Sequence, residues 1–305
     1  MKKILFLFVS LFLTATTMTT FTSCGDDDDA VSLVIPGLPD DKGGDDSGSD
    51  EGELIHEFKG WLKVSTGYFQ DSYYGEGAVI RVYKKGETYT CKFHDNTWGD
   101  GRFDITMERG QVSGTGTLEM PGQHGRPAKS YEATISGPMT KIVISVPSVM
   151  GGTEITWNYG TRVGGTFTGT NNVSVGGMYN YSAEDVEQTV TVNPDGTVNL
   201  TISEFSLSGT VMGDLTLGSY IIRDIPFNQQ KGGFYKEYAD GTLTLHFKAV
   251  KDGEKTHDSY YVFNNNATTT YILIKPAESG ITVENKFSMG SMPFSITATM
   301  EGTKD

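Results

Sequence analysis

From Phe58 onward, apolar and polar residues alternate in short runs, and Gly-containing turns interrupt them roughly every 8–12 residues, the spacing of a sandwich or barrel. Over 58–160 the pattern predicts strands near 58–66, 77–84, 87–94, 103–109, 111–119, 129–136, 140–146 and 153–160. The period of two also says which side chains face inward. Tyr89, Cys91 and Phe93 alternate with Thr90, Lys92 and His94, so Cys91 is expected to be a core thiol rather than a reactive one. Ile155, Trp157 and Tyr159 alternate in the same way, which makes Trp157 a packing residue first.

The pattern occurs twice. Lys85-Gly86 aligns with Asp195-Gly196, and at the same offset Asp104-Ile105-Thr106-Met107 aligns with Asp214-Leu215-Thr216-Leu217. Residues 151–161 resemble residues 290–303 once short gaps are allowed. The second copy carries an extra segment, mainly around 228–265. The expectation is an all-β chain of two tandem antiparallel barrels, module 1 over 54–163 and module 2 over 164–305.

The first fifty residues read differently. Lys2 and Lys3 precede an apolar run from Ile4 to Leu13, and Phe21-Thr22-Ser23 leads into Cys24. A basic start, a short apolar run and a small residue before the cleavage point predict a signal peptide over 1–23. The run is too short to span a hydrocarbon core of ~30 Å as a permanent helix. A cysteine directly after the small residue is the lipidation pattern, with Phe21 where Leu is usual; ordinary cleavage nearby would instead leave a free thiol. Gly25 and Asp26 to Asp29 then resemble the acidic export tag of Bacteroidota outer-face lipoproteins. That resemblance implies a lipid anchor on Cys24 in the outer membrane, with the body facing the cell exterior. Residues 24–53 form the tether, expected to be disordered because Gly, Asp, Ser and Pro have little apolar surface to bury. Its aspartates lack the ligand spacing of a calcium loop.

Charge changes little once it is divided. Of the formal −14, a net −10 lies in 25–53, Lys2 and Lys3 contribute +2, and −6 is spread over 54–305. The body has no basic stripe, which argues against a nucleic-acid partner. With Cys24 lipidated, Cys91 has no intrachain partner, and the fold must rest on its cores.

The phrases TVTVNPDGTVNLTISEFSLSG, MGDLTLGSYIIRDIPF and MPFSITATMEGT resemble the calycin-like domains of Bacteroidota surface lipoproteins, over most of 175–303 and more faintly over 58–161. The resemblance implies lipocalin-like barrels and supplies no functional residue.

Catalytic chemistry has little footing. There is no GxSxG elbow, the thiol of the body reads as buried, and no cofactor motif occurs, so a non-enzymatic protein without cofactor or bound metal is expected. His246 and His257 flank a hairpin turn at Asp252-Gly253; a two-residue turn sets His257 opposite Lys248 and puts both histidines on one exposed face. Leu243, Leu245, Phe247, Tyr260 and Val262 would then occupy the buried face.

The connections of module 1 suggest a better site. Those at 85–86, 110 and 137–139 are tight, whereas those at 67–76, 95–102, 120–128 and 147–152 are long and fall at the other end of an up-and-down barrel. They gather Tyr68, Phe69, Tyr73, Tyr74 and Trp98 with Asp71, Asp95, Asn96, Asp100, His124 and Arg126. Aromatic faces beside polar groups suit a glycan; the bland alternative is that these rings fold back and plug the mouth. Two other functions fit the same fold: a carrier of a hydrophobic small molecule with an apolar cavity of several hundred Å³, or a subunit docking an outer-membrane protein through Phe234, Tyr235 and Tyr238.

Overall fold

The computed structural model describes residues 52–122 and 126–304. The signal peptide, Cys24 and nearly all of the tether lie outside the described residues, as does His124. Among the described residues every regular element is a β-strand.

Eight strands build module 1: β1 (Glu53–Ser65), β2 (Ser72–Lys85), β3 (Thr88–Asp95), β4 (Gly99–Glu108), β5 (Gln111–Met120), β6 (Lys129–Pro138), β7 (Lys141–Val146) and β8 (Thr153–Tyr159). Each pairs antiparallel with the next, and β8 returns to β1, with Leu62 opposite Trp157, so the barrel closes. The sequence pattern places all eight. It starts β2 late, because register shifts around Trp61 interrupt the β1–β2 ladder and its alternation.

Inward positions fill the interior as the period of two requires. Leu62, Ile80, Cys91, Phe103, Ile144 and Trp157 are fully buried. The Trp157 indole occupies the space above Gly60, where a Cβ would lie 2.5 Å from the ring, and its Nε1 donates to Ala78 O at 3.0 Å. Burial pushes the Cys91 thiol up to about 12, which keeps it protonated and unreactive. Tyr159, the last of its alternation, sits beyond the core and is 41% exposed.

Module 2 has thirteen strands. They are β9 (Gly165–Val175), β10 (Tyr179–Val192), β11 (Val198–Ile202), β12 (Phe205–Thr210), β13 (Gly213–Leu217), β14 (Tyr220–Ile225), β15 (Phe227–Asn228), β16 (Gly233–Glu237), β17 (Thr244–Lys251), β18 (Glu254–Asn264), β19 (Tyr271–Pro276), β20 (Gly280–Met289) and β21 (Ile296–Lys304). The repeat is visible in the pairing: β21 lies against β9 as β8 lies against β1. Where module 1 has the plain hairpin β3–β4, module 2 has a longer one broken in the middle. Its outer half pairs β12 with β13, and its inner half pairs β11 with β14. The two halves form the ends of one path, β12-β13-β17-β18-β20-β21-β9-β10-β11-β14, wrapped round a single core. The added strands are β15, β16 and β19, which extend the sheet from β20.

The histidine register differs from the expectation. After Lys251↔Glu254 and Val250↔Lys255 a bulge at Thr256 sets Ala249, not Lys248, opposite His257. A one-residue slip turns every later side chain to the other face. His246 points outward as expected, its Nε2 2.8 Å from Asp258 Oδ1 and its ring stacked on Tyr260 at 4.4 Å. His257 is on the opposite face, edge-on to Phe247 at 6.4 Å. Tyr260 and Val262 are exposed rather than buried, for the same reason.

The modules are joined through the start of β2. Glu76, only 7% exposed, accepts from the backbone N–H of Arg162 (2.8 Å) and Val163 (2.9 Å) and from the Tyr73 hydroxyl (2.9 Å). Phe227 packs edge-on against Tyr73 at 5.5 Å and lies over Gly75, where there is no room for a larger residue. Arg162 in turn donates to the carbonyls of Ala277 and Glu278.

Candidate ligand-binding site

The long connections of module 1 do converge at one end. Gly67 N donates to Met150 O at 3.0 Å, and Gly99 lies against Glu119 and Pro121. The aromatic residues there do not form an exposed rim. Tyr74 and Trp98 are each 7% exposed, packed edge-on at 5.1 Å, and half-buried Phe69 stacks on Tyr74 at 5.9 Å. These rings plug the opening because their area is cheaper buried on the core than left in water. Module 2 also leans over them, Gln229 Nε2 donating to the Tyr74 hydroxyl at 2.9 Å.

The remaining residues scatter. Tyr68 is exposed, and Tyr73 faces out of the barrel between Trp61 and Phe227. Asp71 pairs with Lys63 at 3.0 Å. Asp95 is buried and closes its own turn by accepting from the N–H groups of Thr97 and Trp98. Asp100 sits on the outer face of β4, paired with His94 Nδ1 at 2.8 Å. Asn96 and Arg126 are exposed. The expected single platform is therefore corrected to a plug, a joint and separate surface groups.

The end of module 2 remote from this joint is built differently. The turns at 176–178 and 211–212 and the connection at 290–295 surround an apolar cleft of about 80 Å³. Val173, Val175, Leu207, Met212, Leu215, Met289, Met292 and Ile296 line it, with Tyr179 and Tyr181 at the edge. Met178, Val211 and Phe294 are 65%, 61% and 47% exposed around it. Exposed apolar surface of this kind is characteristic of interaction sites, and methionine side chains adapt readily in shape.

Beneath the cleft the interior turns polar. Asn171, Gln188 and Asn285 point inward and are buried. Tyr238 donates to Asn285 Oδ1 at 2.7 Å, and Asn285 Nδ2 donates to the Tyr220 hydroxyl at 2.7 Å. Burial raises the pKa of Tyr220 and of Tyr238, so both phenols stay neutral at physiological pH. Gln188 Oε1 is buried with no hydrogen-bond partner. A small cavity of about 10 Å³ is lined by Gln188, Asn171, Tyr220 and Asn285, and Val173 and Leu217 line both it and the cleft above. Among the described residues no three His, Cys, Asp or Glu side chains converge as metal ligands would.

Sequence reading missed this site, yet it left a signal. Gln188 stands between Val186 and Val190, and Asn285 between Val283 and Phe287, amides at inward positions of alternating strands.

A closed antiparallel barrel followed by a larger barrel-like sheet with an apolar mouth is a calycin-like architecture. Residues 163–303, most of module 2, match the family model of the calycin-like beta-barrel domain. A solved structure of a Bacteroides fragilis protein, assigned provisionally to the outer membrane, is similar at 20% identity and a TM-score of 0.34, covering 82% of this chain and 97% of its own. No curated protein matches the chain.

Proposed function

We propose that the protein is a non-enzymatic lipoprotein of the outer membrane, anchored through Cys24 and facing the cell exterior, that binds a small hydrophobic molecule at the mouth of module 2. The supporting observation is the apolar cleft, with exposed Val211 in its lining and exposed Met178 and Phe294 beside the adjoining turn at Gly176. At about 80 Å³ the cleft is smaller than the roughly 300–1,000 Å³ of ligand pockets in general. It suits the end of an aliphatic chain rather than a bulky ring system. The glycan reading for module 1 has less support, since among Tyr68, Phe69, Tyr73, Tyr74 and Trp98 only Tyr68 is freely exposed. A docking role for Phe234 and Tyr238 has less still, both being buried in the core.

Native mass spectrometry tests this reading, on protein recovered from the membrane fraction by an anchor that Cys24→Ser should abolish. Incubated with a membrane lipid extract, the wild type should retain an apolar adduct that Met292→Glu loses. An oligosaccharide adduct abolished by Tyr68→Ala would move the function to module 1. No adduct from lipid extract or polysaccharide digest would sink both small-ligand readings.

A further inference from the structure

We infer that the small cavity under the cleft is a polar floor that receives the hydroxyl of a long-chain aliphatic alcohol, an inference that rests on the cleft being an apolar-ligand site. The cavity of about 10 Å³ has room for one oxygen-sized group. Gln188 Oε1 is an acceptor with no partner, and it is held in the interior by a residue only 3% exposed. An unpaired buried carbonyl is a standing cost that an apolar side chain at this inward position would avoid. Opposite in character is Tyr220, whose oxygen already accepts from Asn285, so its own proton is not used in that bond.

The cavity therefore offers an acceptor and a donor to a single small group. A neutral hydroxyl at the end of a chain matches both, because it donates and accepts at once. A carboxylate has no proton for Gln188, and an ammonium has no lone pair for Tyr220. Either would also bury a charge where the lining is neutral and provides no counter-ion. Val173 and Leu217 form the wall shared by cavity and cleft. Turning these two side chains joins the spaces, and the chain behind the hydroxyl then runs out through the apolar mouth.

The test is displacement of a straight decyl chain, tagged at its far end with a dansyl fluorophore, from the full chain by 1-decanol and by 1-fluorodecane, which has nearly the same shape and no donor. The wild type should favour the alcohol roughly tenfold, the worth of one buried hydrogen bond. Gln188→Met should bind both alike, with a melting curve as the control for folding. Equal displacement by both compounds in the wild type, or a preference for the alcohol that survives in Gln188→Met, overturns the floor and leaves the cleft standing. Displacement by neither overturns the cleft as well. The wild-type ratio decides the matter even where Gln188→Met fails to fold.

Discussion

Glu76 is a carboxylate buried at a joint, with three donors aimed at one of its oxygens. Burial raises its pKa above the ordinary 4.5, and the hydrogen bonds from Val163, Arg162 and Tyr73 oppose that only in part. The folded chain therefore holds this proton more tightly than the unfolded chain does. The stabilisation from that proton is complete below the unfolded value and is lost as pH rises through the raised folded value. Glu76→Gln keeps an acceptor oxygen but does not titrate, so between about pH 4 and 8 its urea-melt stability should depend less on pH than that of the wild type. An identical slope in both proteins would contradict the raised pKa. Single residues were legible in the sequence where burial alone decides their place, as for Cys91 and Trp157. They were not where a partner decides it: Tyr73 faces outward because Phe227, far along the chain, lies against it.

At the scale of elements, turn chemistry and bulges carry the information that alternation lacks. The β4–β5 hairpin turns on Arg109 and Gly110 with φ of 50° and 77°, a pair of left-handed residues that match the strand twist. Glycine takes that conformation freely, whereas arginine is strained in it. Arg109→Asn should stabilise the protein by about 0.5–1 kcal/mol, read from the urea midpoint at constant slope, because asparagine tolerates this conformation better. A lower midpoint would mean that the arginine has a compensating contact. The eight strands of module 1 were readable because its turns are regular. In module 2 the bulge at Thr256 and the break in the β11–β14 hairpin each shift the register by residues that look ordinary. The histidine pairing was lost there for that reason, whereas the inward amides of β10 and β20 lie in regular alternation and resemble ordinary polar positions.

For the molecule as a whole, the informative contact is the seat of Phe227 on Tyr73 and Gly75. Phe227→Ala removes a ring that also packs edge-on against Phe234 at 5.6 Å, and a cost of about 2–3 kcal/mol is expected for a half-buried aromatic. In calorimetry the wild type should melt in one transition and the variant in two, as the modules lose their coupling; one unsplit transition at a lower temperature would locate the loss within module 2. Two related modules could be read from the repeated phrases, but which opening meets water could not, since no local pattern records what covers a barrel end. That asymmetry has an evolutionary consequence. The two modules follow one plan, yet the opening of module 1 is filled by its own aromatic rings and overlain by Gln229 of module 2. Under the proposed function, selection for a guest molecule acts on a single mouth, and module 1 serves as a pedestal whose rim answers to packing constraints alone.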